Sequence, residues 1–566
     1  MSPVGSFALS LLMVCVACGG HEPQDAPVDD EPAASSGSTG ETDGVDACAH
    51  GDVGAVVPVA EGCCGCLCGQ TGWSCATETC LEPDGTAAAL APEAGFFELE
   101  SHEYAWAGVA RRSARSRVWY SFWPAASAPQ SRPLVLLFNG GPGASTGLLF
   151  GSNTGPYTLD PLRTDAVAAT DLPWTEHFNL LYVDAPGTGF SYDLPLSDGS
   201  QVPLAIDPDR DASAFVSVLL RFLARHPAIQ YNPVLLLGES YGGTRGTLML
   251  QQLLEYETLV DDRSVYRNPS LYQEIERHLE GLAPGTCGRG VSREQVAAQF
   301  GHFVTVQGFV AGLPQLLGEK PPSPLCVPDG DPYHCNRPLD FIWSVNEEIG
   351  ARLRRPDLLG TMLGVDPTSI AWMHAEARQG AYGREASADE GEMIAVFGQL
   401  DPGDAYYMPM NPAVQTSLGP SRDYLAEDMA DVFLRVAATV DTFMTDARLD
   451  MVVATTALAP VLEARTHAVR WAMHDEDPRE GVERPGWLRI DYVPGWAPGG
   501  VSTRELRTPR YDAAGHVVTL DEPESLLLDL VEWFEAAATS TRSDPARRGS
   551  GRSSTTASPA AASAPT

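Results

Sequence analysis

The sequence predicts an α/β layer fold behind a small Cys-rich module, and three observations carry that prediction. From about residue 95, short apolar runs alternate with amphipathic stretches, the pattern of strands and helices stacked in layers. Over 233–254 an apolar run, a G-x-S-x-G and a helical stretch follow one another directly. Upstream, seven cysteines (Cys48, Cys63, Cys64, Cys66, Cys68, Cys75 and Cys80) crowd into about 33 residues.

In chain order, residues 1–18 read as an export signal: "MSPVGSFALSLLMVCVAC" holds an apolar run of signal length ending in small residues. "CVAC" before Gly19 resembles a bacterial lipobox, with Cys18 as the candidate lipid-bearing residue, lipoprotein and free secretion both remaining open. Residues 19–45 are acidic and rich in Pro, Ser and Gly, too poor in large apolar side chains to offset chain entropy, and read as a disordered linker. Residues 46–82 read as a disulfide module, because C-C-x-C-x-C with only His50 nearby lacks metal-ligand spacing. Seven is odd. Cys326 and Cys335 are close enough to pair locally, which leaves Cys287 as a candidate partner for the seventh.

Residues 95–540 form the main domain. "RVWYSFW", "PLVLLF", "NLLYVDA" and "PVLLLG" read as strands, and "DASAFVSVLLRFLARHP" as a helix with Phe215, Leu219 and Phe222 on one face, ended by His226-Pro227. The stretch from about 250 to 435 shows helical patches without strand rhythm and reads as an inserted cap. Residues 541–566 are low-complexity and read as a disordered tail.

Composition excludes several chemistries. With 37 basic against 74 acidic residues the formal charge is -37, which disfavours nucleic acid and anionic membranes as partners. Lys320 is the only lysine, and no G-x-x-x-x-G-K-[ST] is present, so lysine-based and P-loop chemistry are set aside. No cofactor and no metal is expected.

Two G-x-S-x-G motifs compete, around Ser145 and Ser240. A nucleophile elbow needs a buried strand, a sharp turn and then a helix whose N-terminus faces developing negative charge. "PVLLLGESYGGTRGTLMLQQLLEYE" supplies all three around Ser240, although Gly242, Gly243 and Gly246 predict a loose helix start. Ser145 is followed by Gly147, Gly151, Gly155 and Pro156, which allow a turn or two of helix at most, so it reads as local hydrogen bonding or packing. Gly140 and Gly141, directly after a strand, suit an oxyanion loop, whose backbone N–H must come within about 3 Å of the charged oxygen. In α/β-hydrolases the order is Ser, then Asp or Glu, then His. His516 sits in a Gly-flanked loop before the terminal helix and is the preferred imidazole; His467 and His474 read as positions on a surface helix. For the acid, Asp441, Asp446 and Asp450 are available, and Asp450, after a strand and before a loop into a helix, is preferred.

"FNGGPGAST", "LLYVDAPGTGFSY", "LLLGESYGGTRG", "LDMVVAT" and "AGHVVTLDEPE", in this order, resemble the blocks of the serine carboxypeptidase family, the carboxypeptidase Y-like branch of the α/β-hydrolases. "GESYGGTR" and "ARLDMVV" are closest to bacterial members. The resemblance covers about residues 95–540 and implies an α/β-hydrolase fold with a mixed, mostly parallel sheet and an inserted helical cap. It implies Ser240 as nucleophile, His516 as general base and then acid, Asp450 orienting the imidazole, and backbone N–H groups of Gly141 and Tyr241 as oxyanion hole. It further implies Asn139, Gly140 and Glu239 at the substrate, Asn139 and Glu239 binding its free C-terminal carboxylate. The implied activity is hydrolysis of C-terminal peptide bonds through an acyl-enzyme. An esterase or acyltransferase on the same triad is the alternative, with an inactive hydrolase-like binding protein behind it. Three positions depart from the family pattern: Phe138 stands where Trp is usual, Ala144 replaces a Cys, and Asn153 occupies the place of a Glu that assists the carboxylate clamp. Val517 falls where the leaving-residue pocket is often shaped.

Overall fold

A computed structural model describes residues 90–543, apart from 102, 107–108, 160–164, 195–207, 262–268, 287, 313, 316–347, 383–406, 408, 412–413, 415–427, 451 and 475–485, together with short strands at 56–57, 66–69 and 72–75. The export signal, the linker and residues 544–566 of the tail lie outside the described residues, as do Cys287, Cys326 and Cys335; residues 541–543, expected in the tail, are instead the end of the terminal helix. In the Cys-rich run the three short strands form an antiparallel sheet with Cys66 opposite Cys75, while the side chains, and with them the disulfide reading, lie outside what is described.

An eleven-stranded sheet organises the main domain. Its strands are β1 (Glu93–Leu99), β2 (Arg115–Trp123), β3 (Leu134–Phe138), β4 (Asn179–Val183), β5 (Tyr192–Leu194), β6 (Val234–Glu239), β7 (His302–Val306), β8 (Asp441–Met444), β9 (Val469–His474), β10 (Trp487–Tyr492) and β11 (Thr503–Arg507). At one side β2 pairs antiparallel with β1, β4 and β5. The centre runs parallel in the order β4, β3, β6, β7, β8 and β11. Beyond it, β10 and β9 continue antiparallel. The sheet is therefore mixed and mostly parallel at its core, with the fold of an α/β-hydrolase.

The central strands are apolar on both faces because each face is covered. In β3, Leu134, Leu136 and Phe138 point into one core cluster and Val135 and Leu137 into the other. The first layer holds helices α1 (Pro208–Arg225), α2 (Gly242–Leu254), α3 (Pro269–Leu282) and part of α6 (Asp428–Ala437); the second holds α4 (Pro356–Leu363), α5 (Pro367–Tyr382) and α7 (Pro523–Ser543). Helix α1 shows why its sequence forms it. Pro208 opens the first turn, Asp209 and Asp211 face the positive helix end, and Arg225 closes the negative one before His226-Pro227. Its Phe215, Leu219 and Phe222 are fully buried, each contributing about 1.5–3 kcal/mol by the usual burial scale.

Three expectations change. The stretch 250–435 is not wholly a cap: "HFVTV" at 302–306 is a central, fully buried parallel strand between β6 and β8, and α3 packs in the same layer as α1. Its shortness and its polar His302 and Thr305 hide the strand pattern. The segment containing His474 is strand β9, not helix, its alternation masked by two basic residues and a register shift between Val469 and Trp471. Nor is the start of α2 loose. A Cβ on Gly246 would come within 2.3 Å of the Phe303 ring, so the missing side chain lets α2 lie directly against β7. Among the described residues no helix is long and apolar enough to cross a membrane.

Candidate active site

Four neighbouring parallel strands, β3, β6, β7 and β8, deliver the site from their carboxyl ends, the usual location for chemistry in open α/β sheets. After β3 comes the loop of Asn139, Gly140 and Gly141; β6 ends on Glu239, with Ser240 following; Gln307 follows β7; the segment leading to Asp450 follows β8.

Ser240 sits at the strand-to-helix turn with φ 56, a left-handed backbone that costs a residue with a side chain about 1–2 kcal/mol. The turn is held by Ser240 N–H donating to the Val306 carbonyl at 3.0 Å, and by Gly243 and Phe309 N–H groups both donating to the Ser240 carbonyl at 2.9 Å. Close approach of strand and helix requires glycine at 238, where a Cβ would meet the Gly242 carbonyl at 2.3 Å. The second such position is Gly140. A Cβ there would fall 2.5 Å from the Tyr241 nitrogen and 2.8 Å from the Ser240 Cβ, so the 139–141 loop lies directly on the elbow. That brings the loop of Gly141 (φ 101) to the start of α2, where Tyr241 stands.

The acid and the imidazole arrive on two segments joined by their backbones. Asp446 and Ala447 pair in parallel with Arg510 and Tyr511, and Arg448 and Leu449 N–H groups donate to the Tyr511 and Ala514 carbonyls at 3.0 Å each. This alignment sets His516 Nδ1 2.9 Å from Asp450 Oδ2. From the other side, Gly515 N–H donates to Asp521 and Ala513 N–H to Glu522, so the acidic residues of "LDEPE" anchor the imidazole loop. His516 Nε2 lies 3.2 Å from Glu239 Oε1, one residue before Ser240. The His516 side chain is 7% exposed and that of Asp450 1%.

Electrostatics separate the two carboxylates. Burial pushes the Asp450 carboxyl up, but the facing His516 and hydrogen bonds from His516, Gln307 and Val452 outweigh it and hold it below the ordinary aspartate range. Glu239 is pushed up to about 7, first by burial, with His516 and the Gly140 N–H pulling down and Asp450 adding to the rise. One carboxyl is thus an ion and the other holds a proton into the neutral range, a division suited to separate roles. Asn139 is buried, its Oδ1 without a hydrogen-bond partner among the described residues, and its carbonyl accepts from Arg245. Arg245 is itself almost wholly buried, paired with Asp211 at 2.7 Å and lying over the Phe215 ring at 4.4 Å.

Asn139, Gly140, Gly141, Glu239, Ser240 and Tyr241 thus lie at or just after the strand ends and Asp450 and His516 on the two joined loops, with Asp450 rather than Asp446 or Asp441 against the imidazole, whose Nε2 faces Glu239. Ser145 is buried, accepts a hydrogen bond from Tyr407 at 3.0 Å and donates its N–H to Pro409, a packing role. His467 pairs with Asp431 at 3.3 Å, away from the site. Asn153 lies beyond the short helix 147–151 in left-handed backbone, φ 64, half-buried. Val517 is buried beside His516 in sequence. The sequence did not disclose Gln307, Arg245 and Asp211, whose side chains bond to Asp450, to the Asn139 carbonyl and to Arg245 respectively. Among the described residues no group of three or more His, Cys, Asp or Glu side chains could hold a metal ion.

Fold and elbow together define the class as an α/β-hydrolase. Within it, residues 99–265 match the family model of the serine carboxypeptidases, peptidase family S10, and similar sequences carry serine carboxypeptidase names. The probable serine carboxypeptidase CPVL of Rattus norvegicus is 37% identical over 129 residues, 23% of this chain and 26% of that protein. The venom serine carboxypeptidase of Apis mellifera is 22% identical over 425 residues, 74% of this chain and 81% of that protein. The chain thus spans about a quarter of the length of the rat relative, and these relatives are eukaryotic. Kex1, a prohormone-processing carboxypeptidase of Saccharomyces cerevisiae, superposes with a TM-score of 0.43 at 13% identity, over 79% of this chain and 91% of that one.

Proposed function

We propose that this protein is an exported, metal-independent serine carboxypeptidase of bacterial type that removes residues from peptide C-termini through an acyl-enzyme. The observation that carries the reading is the meeting of Asp450, His516 and Glu239 at a strained elbow serine. In it, Ser240 attacks the scissile carbonyl while His516 takes its proton, and Asp450 stays ionised and keeps the imidazole in the tautomer that can accept. Backbone N–H groups of Gly141 and Tyr241 receive the oxyanion. His516 then returns the proton to the leaving amine, and water repeats the sequence on the acyl-enzyme.

The carboxylate of the substrate meets Asn139 and Glu239. Two facing carboxylates repel unless one holds a proton, and a Glu239 pushed up to about 7 is neutral at acidic pH, where it can donate to the substrate. An esterase or acyltransferase on the same triad is the second reading, favoured by Asn153, an amide where the family pattern has a third carboxyl at the clamp. Export rests on the apolar run of residues 1–18, and Cys18 is the candidate lipid anchor. The test is release of free amino acid from N-blocked dipeptides with free and amidated C-termini across the acidic-to-neutral range, with Ser240→Ala as blank. Release that needs the free carboxylate supports the carboxypeptidase; mutant-sensitive activity on esters alone supports the second reading.

A further inference from the structure

We infer that Gln307 is a positioning residue for the acid of the proposed triad: its side-chain amide fixes the orientation in which Asp450 meets His516. The inference rests on the triad reading of Ser240, Asp450 and His516, and adds a fourth group that touches neither substrate nor nucleophile.

The observations are geometric. Asp450 Oδ1 accepts from the Val452 and Val453 N–H groups at 2.7 and 3.2 Å; Oδ2 meets His516 Nδ1 at 2.9 Å and accepts from Gln307 Nε2 at 2.6 Å. A carboxylate offers about four acceptor directions, and all four are used. Remove Gln307 and the oxygen that faces the imidazole keeps one donor in a site closed to water. The Gln307 amide cannot turn over, because its Oε1 accepts from Thr445 Oγ1 and from Ala447 N–H, both at 2.9 Å. A flipped amide would set oxygen against carboxylate and nitrogen against two donors, so the surrounding groups assign the amide's direction.

The backbone is as constrained as the side chain. Gln307 has φ 48, is fully buried, and donates its own N–H to Thr445 Oγ1 at 2.7 Å. Strain of this kind persists only where the surroundings over-determine it. Here a 143-residue separation is bridged so that the end of β7 holds the loop after β8. Gln315 repeats the device farther along the same loop: its Oε1 accepts from Val310 and Ala311 N–H, and its carbonyl accepts from Ala454 N–H. Two buried glutamines thus tie the loop after β7 to the acid loop, and only Gln307 reaches the carboxylate.

When His516 gains a proton in the reaction, Asp450 must stay ionised and stay in place; a second N–H donor on the same oxygen serves both needs. Among the charged or titratable groups of the described residues, Asp450 faces His516 at Nδ1 and Glu239 at Nε2.

The experiment measures labelling of Ser240 by a fluorophosphonate probe from about pH 5 to about pH 9 on the full chain. The variants are Gln307→Met, Gln307→Glu and Thr445→Val, with thermal unfolding followed in parallel. Loss of an orienting group of this kind costs about 10- to 100-fold. Gln307→Met is expected to slow labelling within that range. Gln307→Glu is expected to shift the acid limb of the rate profile to higher pH, since an added carboxylate beside Asp450 favours the charged imidazole. Thr445→Val keeps Gln307 but releases its amide, and is expected to move rate and limb the same way by less; it decides the matter if the Gln307 variants fail to fold. Variants that label at the wild-type rate with the wild-type profile overturn the inference, as does slowing that only follows the folded fraction with the limb unmoved. A wild-type chain that does not label overturns the triad reading itself, and this inference falls with it.

Discussion

Two halves of one site are built in opposite ways. On the acid side, every acceptor of Asp450 is filled by the protein, Gln307 is locked from both ends, and backbone pairing sets the His516 loop against the acid loop. On the Asn139 side, burial is just as deep but Asn139 Oδ1 has no partner among the described residues, and Glu239 is held in its protonated form up to about pH 7. The first half spends buried polarity on rigidity. The second keeps polar capacity unspent, and unspent buried polarity is costly unless something arrives to use it. The difference separates the part that must not move during a proton transfer from the part that must recognise.

The sharpest way to break that comparison is to remove the nucleophile. Ser240→Ala should lower kcat by about 10⁶-fold if the triad acts as a unit, measured on whichever substrate the protein turns over. Asp450→Asn should cost about 10⁴-fold in kcat, because an amide there favours the wrong imidazole tautomer, and should lower the thermal midpoint, because its nitrogen replaces an oxygen that accepts from the surrounding N–H donors. Arg245→Met tests the support beneath Asn139. It leaves Asp211 buried without its cation, and losing one member of a buried pair costs about 3–5 kcal/mol, read as a lowered unfolding midpoint.

Glu239→Gln is the smallest and most selective change. The raised carboxyl means that kcat/KM for free-carboxylate substrates should hold below about pH 7 and fall above it; the glutamine variant should lose that fall, because it is neutral throughout. The same shift has a stability sign. The folded state binds the Glu239 proton more tightly than the unfolded one, so stability is lost as pH rises from the ordinary carboxylate range through about 7. Chemical denaturation at acidic and mildly alkaline pH should therefore show the glutamine variant gaining on wild type as pH rises. A gain that is the same at both pH values would mean that Glu239 is ionised in the folded protein.

What the sequence discloses follows the same division. Ser240 is readable because an elbow is a local pattern, strand, turn and helix in contiguous residues. His516 is readable from its Gly-flanked loop before a terminal helix. Asp450 is readable as the preferred one of three candidates from its place after a strand, but the contact that sets it against the imidazole is not, since that depends on the parallel pairing of 446–447 with 510–511, a contact across more than sixty residues. Gln307 is illegible: a lone glutamine after five residues has no period and no motif, and its role exists only because β7 and β8 are neighbours. Strand β7 itself is missed because a fully buried run of five, broken by His302 and Thr305, looks like the helical patches around it. The glycines of α2 mislead for a related reason. Their effect on an isolated helix is unfavourable, but here the contact they permit with Phe303 prevails.

The order in which strands contribute to the site, β3, β6, β7, β8, has a consequence for how such a protein can change. Each contribution is a few residues at a strand end, whereas the chain between successive contributions runs to just under a hundred residues between β3 and β6 and to well over a hundred between β7 and β8. Lengthening a connection costs only slowly growing closure entropy. The connections that lie outside the sheet and its covering helices can therefore lengthen or shorten at little cost, so that what reaches Ser240 can diverge while the machinery beneath stays the same.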